Sequence, residues 1–320
     1  MTNKLQIAEK SSKFSPAIVA FIYLSIALVA LSFAAIFIRL CEQEIEPNAT
    51  VFNRLWIASL VFWLWNSIKR TDNKQVIQQK KKQFPDTKRE LLLLLLVGII
   101  SSSSVICWAW SLTQTSVANS TILRNLCPIF TSLGAWLFLN QRFDRRFIMG
   151  MILAILGAIA IGWDDLQIGK AYLIGDTVAL LAALFYAINL LILEHLRPNY
   201  TAATLLLWRC SVGTIFLLPI VLLTEDIIFP YSWQGWIMVI SLAVVCQAFG
   251  QGLLVHSLNR FSSGFIAVFL LLEPVITAYL AWLIFAESLS LFNECAFVLV
   301  LGGIYLAKSS QSADKIEKIN

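Results

Sequence analysis

The chain has 320 residues, of which 58% are hydrophobic and only 13% charged, with a formal net charge of +5. An ordinary soluble domain carries about a quarter of its residues as charges, so this composition excludes one and points to a chain solvated by lipid. Apolar runs of about 20 residues recur from end to end, continuous rather than alternating, which selects membrane-spanning α-helices over a β-barrel.

Lys4, Lys10 and Lys13 precede the first run, which opens at Pro16. That run is too long for a signal-peptide core and lacks a small-residue cleavage site after it, so it reads as an uncleaved first span. The expected spans are 16–40, 48–68, 91–113, 117–139, 147–163, 171–193, 201–223, 233–256, 263–285 and 290–308, ten in all. Both ends of the chain then face one side. The connector 69-KRTDNKQVIQQKKKQFPDTKRE-90 holds eight Lys/Arg, and with the two tails, 141-QRFDRR-146, Arg197 and Arg260 that side collects 19 of the 24 basic residues. The other side has Arg39 and Lys170 against Glu42, Glu44, Glu46, Asp164, Asp165, Glu225, Asp226, Glu287 and Glu294. Lysine and arginine concentrate in cytoplasmic loops, so both termini and the 69–90 connector are expected in the cytoplasm of a cell-membrane protein. The positive charge follows membrane sidedness and gives no reason to expect nucleic acid. Lys80 to Lys82 read as a lipid-headgroup patch or as a solvated linker.

The six cysteines, Cys41, Cys107, Cys127, Cys210, Cys246 and Cys295, mostly fall singly inside runs, with no CxxC or Cys/His metal spacing; they are expected as small core residues. No metal or other cofactor is expected.

The chain also repeats. At an offset of 146, 109-AWSLTQTSVANSTILRNLCPIF-130 lies over 255-VHSLNRFSSGFIAVFLLLEPVI-276, so that Pro128 meets Pro274, Gln141 meets Glu287 and Gly157 meets Gly303. Arg54 in the second span has a counterpart in Arg209 of the seventh. Two copies of an odd, five-span unit must be inverted relative to each other, a plan that secondary transporters use around a midplane site. The expected units are 16–163 and 171–308.

The stretch 272-LEPVITAYLAWLIFAESLS-290 resembles the second-repeat signature of the EamA-type drug/metabolite transporter superfamily. The first repeat, 127-CPIFTSLGAWLFLNQ-141, resembles it more loosely, with Gln141 where the family usually has Glu. The resemblance covers about 17 to 308 and implies a central cavity lined by spans 1, 3, 4, 6, 8 and 9. It implies transport of amino acids or other metabolites, relatives carrying nucleotide sugars or sugar phosphates. Arg54 and Arg209 match the arginine that often opens the second helix of each repeat, and a structural or electrostatic role is expected for both.

The polar residues inside the runs are the candidate site. Arg124 and Asn125 lie about seven residues into the fourth run, roughly 10 Å deep at 1.5 Å per residue. An arginine at mid-bilayer costs about 2.5–3.5 kcal/mol on insertion scales, so it is expected to face a wet pathway, an internal partner such as Glu273, or the outer surface by snorkelling. Pro128 cannot bond back to the carbonyl of Arg124, which opens the helix there, and the guanidinium fork suits a carboxylate or phosphate. Glu273, immediately before Pro274, is expected either to exchange protons in the matching kink or to partner backbone groups. Gln247 and Gln251, four residues apart, are expected on a cavity-facing surface of the eighth run. His256 and Trp110, equivalent at the offset of 146, are placed at the pathway or at an interface. Trp108 offers an aromatic wall or an interfacial anchor. The hydroxyls of Ser101 to Ser104 are expected to bond back into their own helix, and Asp176 to sit in the N-terminal region of the sixth. Gly150, Ala154, Ala158 and Gly162 form a small-residue ladder for close helix packing, within the monomer or at a homodimer seam.

The leading function is a secondary transporter, in the exporting direction, of small metabolites such as amino acids. The alternatives are an exchanger of anionic metabolites and a non-transporting membrane scaffold. No GxxxxGK[ST] phosphate loop is present, so ATP is not the expected energy source. An enzyme is not expected, since two histidines and no HExxH leave no catalytic set.

Overall fold

A computed structural model describes residues 16–72, 82–115, 117–161, 172–285 and 291–314. The expectations on Lys4, Lys10, Lys13, Lys80, Lys81, Gly162, Asp164, Asp165, Lys170 and Glu287 lie outside them. The described residues are helical apart from short connections and two isolated β-bridges.

In chain order the helices are α1 (Pro16–Cys41), α2 (Pro47–Asp72), α3 (Lys88–Gln114), α4 (Val117–Arg124), α5 (Cys127–Leu139), α6 (Arg145–Ile161) and α7 (Leu173–Leu196). They continue with α8 (Ala202–Thr224), α9 (Trp233–Ser241), α10 (Gln251–Ser257), α11 (Ser263–Phe269), α12 (Glu273–Phe285) and α13 (Leu291–Lys308). Each apolar run is therefore helical over its described residues, the fourth built from α4 and α5, the eighth from α9 and α10, the ninth from α11 and α12. Among the described residues seven stretches are long and apolar enough to cross a membrane: Ile18–Cys41, Lys88–Gln114, Asn119–Leu139, Leu173–Leu196, Ala202–Thr224, Trp233–Ser257 and Ser263–Leu280. Hydroxyls start several helices: Thr87, Thr201, Ser232 and Ser262 each accept a backbone N–H three residues on, satisfying a donor that the first turn leaves over.

Polarity is distributed inside out. Phe138, Ile215, Leu223 and Tyr305 are among many large apolar side chains on the surface, while Asn53, Asn189, Arg209, Gln247 and Gln251 are buried. An apolar exterior of this extent calls for an apolar solvent.

The packing obeys the repeat. The first run packs on the eighth and the sixth on the third; the ninth packs on the first and the fourth on the sixth; the second packs on the seventh and on the eighth, and the seventh on the third. The fifth and tenth, α6 and α13, pack on each other. There a Cβ on Gly303 would lie 2.4 Å from the Ala154 nitrogen, and one on Gly157 would lie 2.8 Å from the Val300 nitrogen. Adding 146 to Ala154 gives Val300, and adding it to Gly157 gives Gly303, so the two contacts are images of each other. Gly150 completes the seam, 2.4 Å from the Ala307 nitrogen. The Gly150–Ala154 part of the small-residue ladder thus packs inside the chain.

Because backbone stands where the Gly303 side chain would go, Gly303→Val should overpack the seam by about 1–3 kcal/mol and lower the thermal midpoint of the detergent-solubilised protein. Gly252, which has nothing within 4 Å of a built Cβ, is the control: Gly252→Ala should leave the midpoint unchanged or raise it.

Candidate functional site

Two of the helices break at matching places. The fourth run stops at Arg124 and restarts at Cys127, with Pro128 in the first turn of α5. Between them Asn125 N–H bonds to Thr121 O at 3.0 Å and Leu126 N–H to Leu123 O at 3.2 Å. The ninth run tightens into a 3₁₀ turn over Leu270–Leu272 before α12 opens at Glu273, with Pro274 next. Residues 124–126 and 270–272 are related by the same 146. Proline removes a donor and crowds the preceding turn, so equivalent prolines give equivalent breaks.

Arg124 ends α4, half-buried. Its guanidinium lies over the Trp108 ring, 4.4 Å from the centroid, and 5.7 Å from that of Tyr186 on α7. These are cation–π distances. Arg124 forms no salt bridge or hydrogen bond among the described residues, so the expected ion pair with Glu273 is not made here. Glu273 is half-buried at the start of α12, and the cations whose fields reach it are Arg124 and Arg54. Tyr186 lies within the fields of Glu273, Arg209 and Arg124 together, which gathers these groups into one cluster.

The two repeat arginines join it through glutamines. Arg54 Nε donates to Gln247 Oε1 at 2.8 Å. Arg209, buried, donates from Nε to Ser101 Oγ at 2.7 Å and from Nη1 to Gln251 Oε1 at 3.0 Å. Since 101 plus 146 is 247, Arg54–Gln247 and Arg209–Ser101 are the same contact in the two halves. Gln247 also donates to Cys210 Sγ at 3.4 Å. It lies in a π-helical stretch, Leu242–Gly250, that sequence periodicity did not reveal; such wide turns recur at functional sites.

Several expectations change. Ser101 and Ser104 do not bond back into α3: Ser101 takes Arg209, and Ser104 donates to Ala182 O on α7 at 2.8 Å, because α3 is packed closely enough for both hydroxyls to reach across. Asp176 does lie in the first turn of α7, and its carboxylate also accepts from Thr115 at 2.7 Å and Asn119 at 3.2 Å, tying three runs together. Trp110 is 45% exposed, and Trp108, two residues away on the opposite side of α3, takes the place beside Arg124. His256 is exposed, its ring edge-to-face with Tyr23 at 5.7 Å. Tyr186 was not singled out from sequence, where nothing distinguishes it from other aromatics. Gln141, at the end of α5, donates to Glu194 Oε1 at 2.9 Å, while Ser263 N–H donates to Glu194 Oε2 at 2.9 Å; an amide at 141 suits a buried carboxylate neighbour better than a second acid.

At the end holding the 42–46 and 225–232 connections, Glu44 accepts from Ser232 N–H at 3.1 Å and from the Ser232 hydroxyl. The Ser232 hydroxyl bond, opposed by burial and helped by backbone N–H groups, holds the Glu44 carboxyl below its ordinary value. Glu225, just past α8, does the opposite. Burial, and then the Glu46 carboxyl beside it, push it up to about 7.

The family described as the EamA-like transporter family matches residues 18–163 and 173–308. An "Uncharacterized transporter" of Archaeoglobus fulgidus is 24% identical over 90% of this chain and 98% of its own length. The "Pseudopaline exporter CntI" of Pseudomonas aeruginosa is 24% identical over 59% of this chain, which spans 65% of that protein. A solved structure described as "Crystal structure of protein" superposes with a TM-score of 0.75 over 92% of this chain and 98% of that one, at 14% identity, and so shares the fold.

The Glu225 pair carries a pH prediction. Its carboxyl titrates near 7 in the fold against an ordinary value of 4.5, so the fold binds the proton more tightly than the unfolded chain. The stability this contributes is fully present below about 4.5 and is lost as pH rises through about 7. The thermal midpoint should fall over that window, and Glu225→Gln should flatten the fall.

Proposed function

The chain belongs to the EamA-like transporter family, and on that premise we propose a secondary transporter that exports a small metabolite by alternating access between two inverted five-helix repeats. The repeats are 16–163 and 171–308, their ten helices cross the cell membrane, and both termini lie in the cytoplasm. The observation that carries the reading is the reciprocal packing at the offset of 146, in which the Arg54–Gln247 and Arg209–Ser101 bonds and both helix breaks recur. Two equivalent halves meeting at a polar centre give a device in which one half rocks against the other around a fixed site.

In this reading Arg124, Asn125 and Glu273 face the pathway at the breaks, and Gln247 and Gln251 line it while fixing Arg54 and Arg209. Trp110 and His256 belong to the mouths of the pathway rather than its centre. The substrate is a small metabolite, amino acids being the leading class; the curated relative named as an exporter supports export. The lipid bilayer is the chain's surroundings, and nucleic acid has no place in the reading.

Two measurements test it. In proteoliposomes, Arg124→Ala should nearly abolish substrate flux and Arg124→Lys should reduce it, with both proteins still monodisperse in detergent; normal flux in Arg124→Ala removes Arg124 from the pathway. For sidedness, a cysteine at Asp226 in a cysteine-free background should react with an impermeant thiol reagent added to intact cells, and one at Lys81 should not. The reverse pattern overturns the topology.

A further inference from the structure

The central cluster holds three guanidinium groups, Arg54, Arg124 and Arg209, and one carboxylate, Glu273. The bonds to Ser101, Gln247 and Gln251 satisfy donors but supply no negative charge. With Glu273 ionised, the cluster is formally two positive charges in excess among the described residues; with Glu273 protonated, three. A charge enclosed by low dielectric demands a counter-charge. Hydrogen-bonding capacity is left over in the same places. Arg124 is held only through the face of its guanidinium, by Trp108 and Tyr186, and its N–H groups make no hydrogen bond among the described residues. Among the described residues Arg54 engages only its Nε, leaving both terminal nitrogens.

From this we infer that the cluster is completed by a small-molecule anion of two negative charges, a dicarboxylate or a phosphate, held at the unbonded N–H groups of Arg124. The inference rests on the transporter reading and moves its substrate class from amino acids to the anionic metabolites named as the alternative. A neutral zwitterion leaves the excess charge uncompensated; a dianion cancels it, and the Arg124 fork suits a carboxylate or a phosphate. The repeat explains why the excess exists. Residue 273 in the second half is glutamate, but its image in the first half, 127, is cysteine. Cys127 is buried, in contact with Thr131, and within the field of Arg124. The first half thus lacks the carboxylate that the second half carries, and the ligand supplies it.

The test uses the purified full chain in neutral detergent at constant ionic strength, with sodium succinate, inorganic phosphate and alanine as probes. Succinate or phosphate should raise the thermal midpoint in a saturable way at millimolar concentration, and alanine should not; which of the two acts distinguishes the carboxylate from the phosphate source. Cys127→Asp, which builds the missing counter-charge into the chain, should raise the midpoint of the ligand-free protein and abolish the response to the anion. Cys127→Asn should do neither. Should Cys127→Asp fail to fold, Arg124→Gln decides: the apparent affinity for the active dianion should fall at least tenfold, and an unchanged affinity overturns the inference. So does an alanine response equal to that of the dianions, no response to either dianion, or a full anion response in Cys127→Asp. Counterflow in proteoliposomes separates this from the reading beneath it: alanine exchange without a dianion effect keeps the transporter and removes the anion, whereas no flux of any of the three probes counts against the transporter itself.

Discussion

A guanidinium cannot be left bare in hydrocarbon, and the centre of this fold is arranged around that constraint. On insertion scales an arginine at mid-bilayer costs about 2.5–3.5 kcal/mol, and hydrogen bonds to charged groups return about 1.5–3 kcal/mol each. Arg209, buried, has two such bonds, one to each flanking helix. Arg54 has one, and it is half-buried. Arg124 has none and substitutes two aromatic faces. The three thus divide into a buried Arg209 with two hydrogen bonds and the half-buried Arg54 and Arg124 with one and none. That ordering follows if the space beside Arg124 and Arg54 is where a polar ligand or water is admitted, and the space around Arg209 is closed. It also explains two glutamines four residues apart on one helical stretch: each is the acceptor for one repeat arginine.

The repeat accounts for the scaffold, and departures from it account for the chemistry. Both halves break a helix before a proline, at 125–126 and 270–272, and both send an arginine to a polar residue at the equivalent position, 247 or 101. At the seam of α6 and α13 the backbones meet where glycines permit it. These shared features are mechanical. The unshared ones are charged: Arg124 corresponds to Leu270, and Glu273 to Cys127. The duplicated scaffold repeats the helix break, and single substitutions beside each break set the charge that stands there.

Much of this was legible in the sequence, for identifiable reasons. The runs could be bounded because lipid imposes length and apolarity together, and their described residues are helical. The offset of 146 was readable from Pro128, Pro274 and the glycines, since proline and glycine mark backbone events that side-chain substitution does not blur. What was not legible is which neighbour a polar group meets. Helical spacing put Gln247 and Gln251 on one face but could not say that they serve Arg54 and Arg209. It put Trp108 and Trp110 on opposite sides of α3 without showing which side holds Arg124. The hydroxyls of Ser101 and Ser104 have a local alternative in their own helix, and only the closeness of the neighbouring helices decides against it. The wide turn at Leu242–Gly250 leaves no composition signal at all. Tyr186 became notable only through what lies above it.

The ends of the bundle contrast with its centre in a way that bears on motion. Near the 140–145 and 197–201 connections, Glu194 ties the fourth, sixth and ninth runs by accepting from Gln141 and Ser263. At the other end Asp176 ties the third, fourth and sixth, and Glu44 holds the start of the eighth. Each of these is a carboxylate accepting from neutral donors beside a chain connection; Asp176 and Glu44 are half-buried, while Glu194 is as buried as Arg209. Parting the Glu194 tie or the Arg209 bonds strands a buried charge, whereas water can replace the partners of Asp176 and Glu44. The alternating access proposed for the chain therefore has cheaper contacts to break at the Asp176 and Glu44 end and costly ones to keep at Arg209. On that proposal the helices rock about Arg209 and its partners, and the broken runs supply the bend that this rocking needs.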